Sequence, residues 1–104
     1  MTEPFVKSEP DQMAQSAQSA AGFLKTLAHE GRLMILCHLV QDEMSVGALE
    51  EALGMRQAAV SQMLARLRDE GLVTTRRDGK TIYYSLADDR TRRMIELLYE
   101  FYCA

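Results

Sequence analysis

The sequence predicts a mainly α fold with a small β-hairpin, about five helices and a two-stranded wing, working as a dimer. Three observations carry this. Ser45 to Gly71 reads as two short amphipathic helices joined at Gly54-Met55. Asp78-Gly79 separates two β-prone runs, a strong hairpin signal. A closing segment from Asp89 to Tyr102 carries an apolar arc too broad for one surface helix. Helix-turn-helix, hairpin and closing helix in this order make a winged helix-turn-helix.

The bounds agree. A chain of 104 residues, 47% hydrophobic and 26% charged, suits one core and is too short for two domains. The longest uninterrupted apolar run, Leu33 to Cys37, is far below the roughly 20 residues a bilayer demands. No secretory signal is seen, so a cytoplasmic protein with no membrane association is expected. Residues 1–11 hold both prolines, and only Phe5 and Val6 there could pack, which predicts a mobile tail before a single domain over 12–104.

From Gln12 to Leu27 the residues Met13, Ala17, Ala20, Ala21, Leu24 and Leu27 recur at spacings of three and four. This helix has a small-residue stripe suited to close approach, either by a second subunit or within the chain. A second helix, about His29 to Val40, is apolar around most of its circumference and belongs at the buried centre. Gln41 to Met44 form a polar connection. Ser45 then offers an N-cap, Val46, Leu49 and Leu53 face inward, and Gly54 supplies the positive φ that ends the third helix.

At 100° per residue, the fourth helix, about Gln57 to Glu70, splits into two faces. Val60, Met63, Leu64 and Leu67 share the core side, while Gln57, Ala58, Ser61, Gln62, Ala65, Arg68 and Asp69 share the outer one. That outer face is small, hydrogen-bonding and largely uncharged in its first half, as a helix entering the major groove requires. Gln can pair bidentately with adenine, Ser is ambiguous, and Ala58 leaves room for a base edge or a thymine methyl. Arg56, Arg66 and Arg68 are candidates for phosphates, and Arg76, Arg77 and Lys80 gather near the hairpin tip.

The charge distribution supports a nucleic-acid partner where the net charge of −3 does not. Residues 56–80 hold six basic and three acidic side chains, a local +3 against −6 in the remainder. Each feature alone fits a solvated face. Together they predict binding to double-stranded DNA, with a protein-binding winged helix as the alternative. No paired carboxylates, nucleophile–base set or phosphate loop occurs at a useful spacing, so no enzyme is expected.

The chain resembles the ArsR-type winged-helix repressors over about Ala21 to Cys103. The resemblance rests on Phe23 to Leu33 with Ile35-Leu36, on Ser45-Val46-Gly47 and Val60-Ser61-Gln62, and on Leu67 to Val73. Arg77-Asp78-Gly79-Lys80 with Tyr83-Tyr84-Ser85-Leu86 completes it. It implies homodimers formed through the first and last helices. They would bind a palindromic operator, repress an operon and release DNA when an inducer binds.

Many relatives sense metals, yet the ligands they use are not found here. The position of a third-helix Cys-x-Cys site reads Glu43-Met44-Ser45-Val46-Gly47-Ala48, and no His follows Asp89. His29 and His38 read as ordinary surface or core histidines, and neither metal nor cofactor is expected. What remains is Cys37 and Cys103, a pair that looks like the dithiol of the persulfide- and redox-sensing BigR-, SqrR- and HlyU-like subgroup. In that subgroup a persulfide or other thiol oxidant links the two sulfurs and the operator is released.

The residues themselves leave other readings open. Cys37 shares an arc with Leu33, Leu36 and Val40, as a buried structural thiol would. Neither cysteine has an activating neighbour in sequence. A metal- or arsenite-responsive repressor using Cys37, Cys103 and His38 is the rival within the same family.

Overall fold

In the computed structural model, which describes residues 9–103, the elements follow in the order α1 (Pro10–Leu27), α2 (Glu30–Gln41), β1 (Met44–Ser45), α3 (Val46–Leu53), α4 (Gln57–Asp69), β2 (Val73–Asp78), β3 (Thr81–Leu86) and α5 (Asp89–Tyr102). Five helices and a hairpin were expected, and they are found.

Two boundaries depart from expectation. The first helix begins at Pro10, two residues before Gln12, so Pro10 and Asp11 belong to it and not to a tail. Proline has no N–H to lose at the first helical position, and the Gln12 side chain accepts from the Glu9 backbone N–H at 3.4 Å. The rest of the expected tail, residues 1–8, lies outside the described residues. The sheet also has three strands, not two, in the order β1-β3-β2. Met44 and Ser45, expected in a connection and a cap, pair antiparallel with Tyr84 and Tyr83 and fasten the hairpin to the body.

The capping residues act as their chemistry dictates. Ser45 Oγ accepts from the Ala48 N–H at 3.1 Å, and Asp88 Oδ1 accepts from the Thr91 N–H at 3.0 Å. Gly54 takes φ +65°, the left-handed conformation that ends α3 and turns the chain into α4.

The core lies where α2 meets α3, α4 and the sheet. Ile35, Leu36, Leu49, Val60, Leu64 and Leu67 are fully buried, with Leu39 and Leu72 nearly so. Gly31 is a matter of space: a Cβ there would run into Sδ of Met63, which packs α4 against the start of α2. Two arginines clamp α2 at its ends. Arg32 Nε donates to the Thr26 carbonyl of α1 at 2.8 Å, and Arg92 Nη1 of α5 donates to the Val40 carbonyl at 2.7 Å. These bonds answer carbonyls at helix ends that lack helical partners.

The outer helices are only part-buried. In α1 only Thr26 and Leu27 are buried, so its stripe of Ala17, Ala20 and Ala21 faces solvent. In α5, Thr91 and Ile95 are buried and Met94 and Leu98 partly so, while Leu97 and Phe101 are exposed. Arg90 of α5 stacks over the Phe23 ring of α1 at 4.8 Å.

Candidate nucleic-acid interface and dithiol groove

The fourth helix presents the two faces expected of it. Val60, Met63, Leu64 and Leu67 are buried, and Gln57, Ala58, Ser61, Gln62, Arg66 and Arg68 are all exposed. Arg56 is exposed too, in extended backbone at the N-cap. Its side chain makes no capping hydrogen bond. The amides of the first turn therefore have no acceptor from the cap, and the positive end of the helix dipole faces outward beside Gln57 and Ala58. Such an end suits a phosphate. Arg56 in place of a capping Ser, Thr, Asp or Asn was the signal for it in the sequence.

The basic residues divide by what they already touch. Arg66 pairs with Glu70 one helical turn on, at 3.5 Å, a half-exposed and weakly held contact. Among the described residues Arg68, Arg77 and Lys80 make no ion pair. Gly79 and Lys80 form the hairpin turn between the paired residues Asp78 and Thr81. Asp78-Gly79, expected to separate the two strands, does not supply both central residues of the turn. Asp78 closes β2, and Gly79 at φ +63° is the one left-handed residue of the loop, which is the Gly-first pattern of a II′ turn. Lys80 is thereby at the tip and Arg77 one residue pair below it.

Arg76 is held elsewhere. Its Nε donates to both carboxylate oxygens of Glu43, at 3.1 and 2.9 Å, and its Nη2 donates to Oε1. Its guanidinium also lies over the Tyr83 ring, 4.6 Å from the centroid. The residue expected to join the tip instead ties the wing to the segment leaving α2. Nothing local signals a partner 33 residues away.

The pair shifts both groups in the stabilising direction. Hydrogen bonding to Arg76 lowers the Glu43 pKa below its ordinary 4.5, and the Glu43 carboxylate raises that of Arg76. Because the folded value is the lower one, the contribution is complete above the unfolded pKa and is lost as pH falls through the folded one. Glu43→Gln should leave the global unfolding temperature nearly unchanged, since both groups are solvent-exposed. It should also speed amide hydrogen exchange along β2 and β3 at neutral pH, an effect acid alone reproduces in the wild type. Unchanged exchange would show that strand pairing alone holds the wing.

Cys37 and Cys103 open onto one groove between α2 and α5. Leu33 and Met34 form one wall, and Leu98, Tyr99 and Tyr102 the other. The reading of Cys37 as a buried structural thiol is overturned: Ile35, Leu36 and Leu39 take the core side of α2, and Cys37 is exposed beside Met34. Apolar residues almost all round α2 made that arc ambiguous in the sequence. The walls still desolvate the sulfur, and burial raises the Cys37 pKa, with charge on Cys103 acting in the same direction. Cys103 is the C-cap of α5, where its N–H donates to the Tyr99 carbonyl at 2.7 Å. His38 lines the continuation of the groove with both thiols. Among the described residues no three of His, Cys, Asp and Glu are grouped to hold a metal ion, and no helix is long and apolar enough to cross a membrane.

Comparison with known proteins places the chain in a family. The profile of the family described as bacterial regulatory protein, arsR family, matches residues 29–75. The chain is 51% identical over 92 residues to a biofilm growth-associated repressor of Agrobacterium fabrum, covering 88% of this chain and 79% of that one. A structure of reduced HlyU from Vibrio cholerae superposes with a TM-score of 0.86 at 44% identity, covering 89% of this chain and 98% of that one. A homodimeric winged helix-turn-helix DNA-binding domain from Mycobacterium bovis superposes with a TM-score of 0.79 at 34% identity, covering 91% and 88%. The chain belongs to the ArsR family of winged helix-turn-helix transcriptional regulators.

Proposed function

We propose that the protein is a cytoplasmic homodimeric repressor that holds a palindromic operator when Cys37 and Cys103 are reduced, and releases it when a persulfide or other thiol oxidant links them. The observation that carries this reading is that both thiols line one groove between the helix at the centre of the core and the helix that closes the chain. Exposed Leu97 and Phe101 on α5 and the small-residue stripe of α1 supply the apolar surface for a second subunit. Gln57, Ala58, Ser61 and Gln62 face the bases. Arg56, Arg66, Arg68, Arg77 and Lys80 reach the phosphates, and Arg76 orients the wing.

The chemistry balances with a persulfide, RSSH, as oxidant. Burial disfavours the Cys37 thiolate, so Cys103 attacks the outer sulfur first, becoming a persulfide and expelling the thiol RSH. Cys37, losing its proton, then attacks Sγ of Cys103 and expels that outer sulfur as hydrogen sulfide. The dithiol gives up two electrons and two protons, and the donor's sulfane sulfur is reduced to sulfide. The new bond ties the last turn of α5 to α2. Two reading helices must sit about 34 Å apart on successive major grooves, so a tilt of α5 at the dimer contact moves them off register.

The test is fluorescence anisotropy on promoter fragments adjoining the gene. Reduced protein should bind one of them, and persulfide treatment should weaken binding by about a hundredfold or more, part of the gap between specific and non-specific affinity. Release by zinc or arsenite and not by persulfide would replace this reading with the metal-responsive one, in which Cys37, His38 and Cys103 supply the ligands. No salt-dependent binding to any fragment would favour a protein-binding winged helix.

A further inference from the structure

The walls around the two thiols are chemically one-sided. Leu33, Met34, Leu98, Tyr99 and Tyr102 enclose a groove of about 270 Å³, and among the described residues Glu30 is the one charged side chain lining it. Where the groove continues past Cys37, His38 and Glu96 join the lining. Among the described residues no lysine or arginine lines either part. Met34, Tyr99 and Tyr102 remain 45, 59 and 82% exposed, an unusual amount of apolar surface beside reactive sulfur.

We infer that this groove is a selectivity site admitting persulfides with a small apolar carbon group, alkyl or aryl, in preference to anionic peptide persulfides such as glutathione persulfide. The inference rests on the dithiol switch proposed above and names the class of donor that works it. A benzyl or short alkyl group can lie against Leu33, Met34 and Leu98 with its outer sulfur at Cys103, and its burial removes apolar surface from water. Glutathione would bring two carboxylates into an apolar groove whose described lining holds no cation to receive them, and beside Glu96 where the groove continues.

The experiment measures how fast the Cys37–Cys103 link forms in the full-length reduced protein with benzyl persulfide or glutathione persulfide, each generated in situ, by alkylation quench and intact mass. Each rate is divided by that of the same chain unfolded in urea, which removes the donors' intrinsic reactivities. Folded protein should favour the benzyl donor by about tenfold or more, the order of discrimination that small differences in an apolar pocket give. Met34→Lys, at a half-exposed position, should narrow that ratio by giving the carboxylates a partner. Equal normalised rates, or a ratio untouched by Met34→Lys, would overturn the inference and leave the switch standing. If neither donor links the thiols, the switch itself is wrong and the inference falls with it.

Discussion

Cys37→Ser and Cys103→Ser are each expected to bind the operator in the reduced state within about twofold of the wild type and to lose release by persulfide altogether. The first half follows from position: both side chains are exposed, Cys103 caps α5 through its backbone N–H and not its sulfur, and surface side-chain substitutions of this kind shift stability by only about 0.5 kcal/mol. The second follows from stoichiometry, because a lone thiol can be persulfidated but cannot expel sulfide into an intramolecular link. Cys103→Ser should also be unreactive at the first step, whereas Cys37→Ser should accumulate a persulfide on Cys103. Intact mass after treatment reads this difference directly. Either single variant releasing DNA as the wild type does would exclude the link as the trigger.

The double variant Arg77→Ala, Lys80→Ala is expected to lower operator affinity by about ten- to a hundredfold near physiological salt. It should also reduce the slope of log affinity against log salt by about 0.9 for each phosphate that is no longer neutralised. The weakening should be similar on every sequence, since these side chains flank the bases without reading them. Arg76→Ala should behave differently. Its guanidinium is engaged by Glu43 and Tyr83, so removing it disturbs the wing's placement, and Glu43→Gln should reproduce most of that effect without removing a cation. Matching slopes for the wild type and the double variant would take the wing tip out of the interface.

Much of this was legible in the sequence because local chemistry decided it. The periodicity of Val60, Met63, Leu64 and Leu67, the Ser45 cap, the stop at Gly54 and the span of α5 depend on neighbours a few residues away, and the structure reproduces them. What escaped depended on distance. Met44 and Ser45 form a strand because Tyr84 and Tyr83 arrive beside them, and Arg76 leaves the hairpin tip because Glu43 lies within reach. Cys37 was ambiguous for a third reason: a helix apolar almost all round gives no arc by which to choose its buried side. The packing of α3, α4, α5 and the sheet around α2 decides that Leu36 faces the core while Cys37 faces a groove shared with Cys103.

The most direct test of the central claim follows bond and function in one sample. Reduced protein on labelled operator is titrated with a persulfide donor, and each point is split between anisotropy and intact mass after alkylation. DNA is expected to leave in proportion to the fraction of chains whose two alkylatable thiols have gone into a Cys37–Cys103 link, and a reductant is expected to restore both together. Release that runs ahead of the link, or fully linked protein still seated on the operator, would contradict it.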